Sequence, residues 1–175
     1  MGERTYSIIT TDPLYSPTPE QQQAALEFFK IVSPLPNARG GYCCHLSKGV
    51  QLLGHDYESV TCPLCKTRLV FFEKESGERS EAGHWWDKAY EYEKDYQPIK
   101  ITMPCCHTKT QIIDLKFDPT LAGFTKFELG ALEPNGSEYW ENEEECPYYG
   151  VWLKPEVIAK FEQLLGSSVS QLWQS

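Results

Sequence analysis

The stretch Ser59-Val60-Thr61-Cys62-Pro63-Leu64-Cys65-Lys66-Thr67-Arg68-Leu69-Val70-Phe71-Phe72 decides how the chain is read. Residues of high β-propensity stand on both sides of a Cys-Pro-Leu-Cys turn, which predicts a hairpin with Cys62 and Cys65 at its tip. Two thiolates two residues apart in a tight turn can bind one metal ion while backbone amides point at the sulfurs. A redox pair of the same spacing opens a helix instead, and the strand-forming run Thr67 to Phe72 argues against that reading.

A second motif, Pro104-Cys105-Cys106-His107, follows the alternating run Ile99 to Met103 and precedes another strand signal in Gln111 to Phe117. Two such hairpins facing each other form a zinc-ribbon-like unit, expected over residues 58–72 and 99–117 with a long insertion between. The expected metal ligands are Cys62, Cys65, Cys105 and Cys106, and the expected cofactor is zinc. Adjacent cysteines need an unusual turn to ligate one ion, so His107, His45 and His84 stand as alternatives for one corner. Cys43-Cys44-His45 echoes Cys105-Cys106-His107, but its cysteines sit in an apolar strand where the residue often serves as core. Cys146 has no expected metal role.

Outward from these motifs, Thr18-Pro19-Glu20-Gln21 marks a helix start, with a capping threonine, proline at the first helical position and glutamine completing a capping box. Ala25, Phe28, Phe29 and Val32 give that helix its core face. A second helix is expected from His84 to Tyr96, with Trp85, Ala89, Tyr92 and Tyr96 facing the core and Trp86 and Tyr90 flanking them. A third begins near Pro155, carries Val157, Ile158, Phe161, Leu164 and Leu165, and stops at Gly166. Further strands are expected at Tyr6 to Thr10, at Tyr42 to Leu46 and Gly49 to Leu53 joined by a turn, and at Phe124 to Leu132. Val169 to Trp173 reads as an edge strand. Helices and strands mix rather than alternate, so the expected fold is one α+β domain over residues 1–175, mostly antiparallel, with about three helices.

Composition bounds the function. The chain has 175 residues, 41% of them hydrophobic and 13% aromatic, as in a folded domain. A formal net charge of −9 repels phosphate backbones, and the cations Lys48, Lys66, Arg68, Lys74, Arg79, Lys88 and Lys94 are scattered along the sequence. Nucleic acid is therefore not an expected partner. Apolar runs are too short to span a bilayer, and Met1 to Tyr6 has no secretory signature. Together with seven cysteines in an odd count, this leads us to expect a cytoplasmic protein whose thiols serve metal chemistry.

The combination of Cys62-Pro63-x-Cys65, Trp85-Trp86, Pro104-Cys105-Cys106, Gly123-Phe124-x-x-Phe127 and Leu165-Gly166 before Leu172-Trp173 resembles a family of small uncharacterised bacterial proteins with zinc-ribbon-like motifs. The resemblance covers most of the chain beyond about residue 50 and implies a bacterial origin but no activity. That family's pattern has glycine after each cysteine motif; Lys66 and His107 stand there instead, which keeps His107 among the candidate ligands.

No HExxH, GxSxG, P-loop or GxGxxG pattern is present, and His55-Asp56-Tyr57 lacks the glutamate of a zinc deaminase. The expected function is a non-catalytic metal-binding protein whose structural zinc supports a protein-interaction surface. Two alternatives are an immunity protein that neutralises a basic toxin and a metal-dependent enzyme with an open zinc site. The expected partner is a protein, and a basic one would suit Glu138, Glu141, Glu143, Glu144 and Glu145, interleaved with Tyr139 and Trp140, where charge would steer association and aromatics would anchor it; the competing reading is a solvated loop with Tyr139 and Trp140 folded back onto the core.

Overall fold

Helix α1 (Pro19–Val32) forms where its capping box requires it to. The Gln21 N–H donates to the Thr18 hydroxyl (3.3 Å) and the Thr18 N–H donates to Gln21 Oε1 (2.8 Å), satisfying two of the amides that a helix start leaves unpaired. Ala25, Phe29 and Val32, four and three residues apart, are buried on one face. Helix α3 (Pro155–Leu165) follows the same logic with Val157, Phe161 and Leu165, and closes on Gly166, whose φ of 73° is open to glycine at little cost. The computed structural model describes residues 5–35, 41–54, 57–91, 99–118, 122–132, 134, 138–141 and 152–174. Tyr92, Tyr96, His55, Cys146 and Glu143 to Glu145 lie outside the described residues.

The fold is α+β with mostly antiparallel sheets, three α-helices and nine strands among the described residues. The strands are β1 (Thr5–Thr10), β2 (Tyr42–Gly54), β3 (Ser59–Thr61), β4 (Arg68–Val70), β5 (Lys100–Thr102), β6 (Lys109–Gln111), β7 (Lys116–Asp118), β8 (Ala122–Leu132) and β9 (Val169–Gln174). No helix among the described residues is long and apolar enough to cross a membrane.

The chain divides into two compact units, one made of residues 1–47 and 125–175, the other of residues 48–124. In the first, the strand order is β2-β8-β1-β9, with β1 antiparallel to both β8 and β9. Tyr6, Phe29, Phe127, Leu129, Phe161 and Leu165 form its core. The buried Tyr6 hydroxyl donates to Gln171 Oε1, so the largest polar side chain of this core keeps a partner. Gly130 on β8 is required by close approach: a Cβ there would lie 2.7 Å from Cys43 Sγ and 3.2 Å from Ser7 Oγ.

In the second unit, β3 pairs antiparallel with β4 and β7, and β5 pairs antiparallel with β6. The expected strand over Gln111 to Phe117 is divided, because Ile112–Asp114 form a 3₁₀ turn between β6 and β7. The two expected strands at Tyr42 to Leu46 and Gly49 to Leu53 are one continuous strand, β2, with no turn between them.

Helix α2 (Glu81–Glu91) starts earlier than expected and turns a different face inward. Ser80 explains the start: its hydroxyl accepts from the Gly83 N–H (3.0 Å), and its carbonyl accepts from the His84 N–H (2.9 Å). Gly83 lets the helix pack directly on backbone, since a Cβ there would meet the Phe71 carbonyl oxygen at 2.3 Å. The core face is Gly83, Trp86 and Ala89, one position on from Trp85. Trp86 stacks on Phe71 (centroids 5.6 Å, 16°) and meets Phe117 edge-on at 5.6 Å. Trp85 is half-buried, with its indole N–H donating to the Thr102 carbonyl at 3.0 Å. Trp86→Ala is expected to cost about 3–5 kcal/mol of stability, as for other buried aromatic truncations, and Trp85→Ala clearly less. Urea unfolding of both variants checks this, and equal losses would contradict the assignment of the core face.

Candidate metal centre

Strands β3 and β4 are joined by Cys62-Pro63-Leu64-Cys65-Lys66-Thr67, and β5 and β6 by Met103-Pro104-Cys105-Cys106-His107-Thr108. The two turns carry the same hydrogen bonds. Cys62 N–H donates to the Thr67 carbonyl (2.9 Å) and Lys66 N–H to the Cys62 carbonyl (3.1 Å). Met103 N–H donates to the Thr108 carbonyl (3.0 Å) and His107 N–H to the Met103 carbonyl (2.9 Å). Closing such a turn forces the residue after the last cysteine into the left-handed region, and Lys66 (φ 63°) and His107 (φ 55°) are the two non-glycine residues there among those described.

These turns bring Cys62, Cys65, Cys105 and Cys106 together, with all four Sγ atoms within 4.8 Å of one another. Cys65 and Cys105 are 3.4 Å apart, and Cys62 and Cys106 3.9 Å. A disulfide would need about 2.05 Å. Sulfurs at tetrahedral corners about 2.3 Å from a zinc ion would lie about 3.8 Å from one another. The four cysteines could therefore hold a metal ion as they stand. Cys62 is fully buried, Cys105 and Cys106 are half-buried, and Cys65 faces solvent.

The electrostatics favour a cation. The Thr67 hydroxyl lies 3.2 Å from Cys65 Sγ, and hydrogen bonding to Thr67, then to Cys105, brings the Cys65 thiol down to about 6. Burial, then the hydrogen bonds to Cys65 and Cys62, pushes Cys105 up to about 12. One thiolate forms readily and opposes its neighbour. A bound cation reverses that opposition, because a coordinating thiol is deprotonated outright.

His107, His45 and His84 are exposed and outside the four-residue group, so sulfur supplies every ligand atom brought together there. Cys43 and Cys44 lie on β2, in the other unit's residue range, and are not members of the group. Burial, aided by the charge of Glu128, pushes the Cys43 thiol up to about 11, and burial raises Cys44 as well. Glu138 and Glu141 are the described members of the acidic run. Trp140 beside them is core rather than an interface anchor: it is 5% exposed and donates its indole N–H to the Val32 carbonyl at 2.8 Å. What sequence reading missed is the role of Met103 and Thr108, although Pro, Cys and Thr recur in register in CPLCKT and MPCCHT.

The comparisons with protein-family models, curated proteins and solved structures find no match to this chain.

Two outcomes follow from this geometry. Substituting glycine at His107 should stabilise the protein by about 0.5–1 kcal/mol, the left-handed cost of a side chain less glycine's entropy. Lys66→Gly should gain less, since it also loses the bond from Lys66 Nζ to the Pro63 carbonyl (2.7 Å). Thermal unfolding checks both, and a loss of stability in His107→Gly would contradict the turn geometry. In metal-free protein near neutral pH, iodoacetamide should label Cys65 first and Cys43 slowly, because only the thiolate attacks. The Cys65 rate should level off above its value of about 6 while the Cys43 rate climbs toward about 11. Peptide mass spectrometry across a pH series reads both.

Proposed function

We propose that this is a non-catalytic metal-binding protein in which Cys62, Cys65, Cys105 and Cys106 hold one structural zinc ion. The observation that carries this reading is the meeting of four cysteine sulfurs, delivered by two turns of the same form, within 4.8 Å. Four thiolates fill a tetrahedral shell. A catalytic zinc, by contrast, keeps one position for water or substrate. Among the described residues, no imidazole or carboxylate, the ligands common at catalytic zinc, joins the group. In this reading the ion ties the β3–β4 and β5–β6 hairpins into a zinc-ribbon-like pair, and the surface they hold in place is what a protein partner would meet.

Purified protein is expected to contain about one zinc per chain. Because metal binding and folding are coupled, chelation should lower the melting temperature; structural sites in small peptides are worth about 10–16 kcal/mol. Loss of structure should be partial, since the first unit has a core of its own. Acid should release the ion, because every ligand binds as a thiolate. Elemental analysis with calorimetry before and after chelation tests the reading. A metal-free preparation that melts at the same temperature would overturn it.

A further inference from the structure

The two cysteine turns match residue by residue, but their sulfurs do not. Their hydrogen bonds align Cys62 with Met103, Pro63 with Pro104, Leu64 with Cys105, Cys65 with Cys106, Lys66 with His107 and Thr67 with Thr108. The positive φ at Lys66 and His107 fixes the same register independently. Cys65 and Cys106 therefore occupy equivalent places. Cys62 is matched by a methionine, and Cys105 stands where the first turn carries Leu64, which is 50% exposed.

Backbone conformation directs the side chain, so residues 62 and 103 leave their turns in the same direction relative to their hairpins. Their surroundings agree. Cys62 and Met103 are both fully buried, and both belong to the apolar cluster of this unit. A symmetric pair of turns would supply thiolates from 62, 65, 103 and 106. This chain has a thioether in place of one of them, and it gathers its fourth thiol from 105 instead.

Resting on the zinc reading above, we infer that residue 103 is a ligand position of the metal centre, filled by methionine, and that Cys105 is a relocated fourth ligand. Cys62, Cys65 and Cys106 are the fixed corners. The fourth corner can be supplied from either residue 103 or residue 105, because Cys105 lies beside the other three sulfurs and residue 103 holds the place that Cys62 has in the first turn. The adjacency of Cys105 and Cys106 is then the mark of a ligand moved two residues along one turn.

The test uses the full chain, with zinc affinity by competition and the cobalt(II) spectrum as a count of thiolates. Loss of a mere outer-shell partner costs roughly 10–100-fold in metal affinity, so Cys105→Ser should weaken zinc binding by at least that much. The cobalt spectrum should fall to that of three thiolates. Adding Met103→Cys to Cys105→Ser should restore the four-thiolate spectrum and most of the affinity. The mirror pair probes the first turn, where Cys62→Ser should be rescued by Leu64→Cys at an exposed position. If Cys105→Ser is unfolded by circular dichroism, the mirror pair decides. A double variant that binds no better than its parent single variant overturns this inference while leaving the zinc reading standing. Wild-type protein that takes up neither zinc nor cobalt overturns both.

Discussion

In the second unit two cysteine turns bring four sulfurs within 4.8 Å of one another. Strands β3, β4, β5, β6 and β7 are three residues long each, and among the described residues β5 pairs with β6 alone. Two-stranded hairpins of that size are marginal in water and need a further strand, a helix or a crosslink. The core under them, from Val60, Phe71, Trp86, Ile101 and Phe117, supplies part of the need. The tips are held by the turns' own hydrogen bonds and by the burial of Cys62 and Met103, with the four sulfurs gathered between them. Hydrogen bonding, to Thr67 before all, lowers the Cys65 thiol, while burial above all raises Cys105, so the two neighbours are driven in opposite directions.

The first unit is stabilised differently. Its sheet packs Tyr6, Ile8, Phe127 and Leu129 among the buried faces of α1 and α3, and Trp140 joins that core with its indole N–H satisfied. Its two described cysteines, Cys43 and Cys44, are half-buried on β2, and that burial pushes both thiols up. One chain therefore uses cysteine in two ways. Turn backbone gathers four thiols that could hold a metal ion in the second unit, and partial burial in a strand raises the two thiols of the first.

How much of this was legible in the sequence follows from how local the signals are. The α1 capping box and the α3 stop at Gly166 were readable because a few consecutive residues carry the whole hydrogen-bond pattern. The same holds for the Cys62 hairpin. The α2 face was misread by one position: Trp85 and Trp86 are adjacent, and periodicity alone does not say which one meets Phe71 and Phe117. The run from Tyr42 to Gly54 was divided at Ser47-Lys48-Gly49, whose composition suggests a turn; as a continuous strand it is set by non-local pairing. The sequence left Trp140 open between an interface anchor and a residue folded back onto the core; it is core, and the partner of its indole N–H is Val32, 108 residues away. The four-cysteine group was found, but the match between Met103 and Cys62 needs the hydrogen bonds to be seen.

The order of the units along the chain has a consequence for how the protein is made. Residues 48–124 are contiguous, whereas the first unit is assembled from both ends of the chain. Among the described residues, strand β1 pairs with β8 and β9, and Thr5 lies opposite both Leu132 and Gln174. During synthesis β1 has no partner strand until β8 (Ala122–Leu132) has been made, whereas every member of the four-cysteine group has emerged by residue 106. Closing contacts of such long sequence separation is slow because the loop entropy must be met first. Vectorial folding would therefore begin in the middle of the chain, with the apolar strand Tyr6-Ser7-Ile8-Ile9 exposed longest and most open to capture by chaperones.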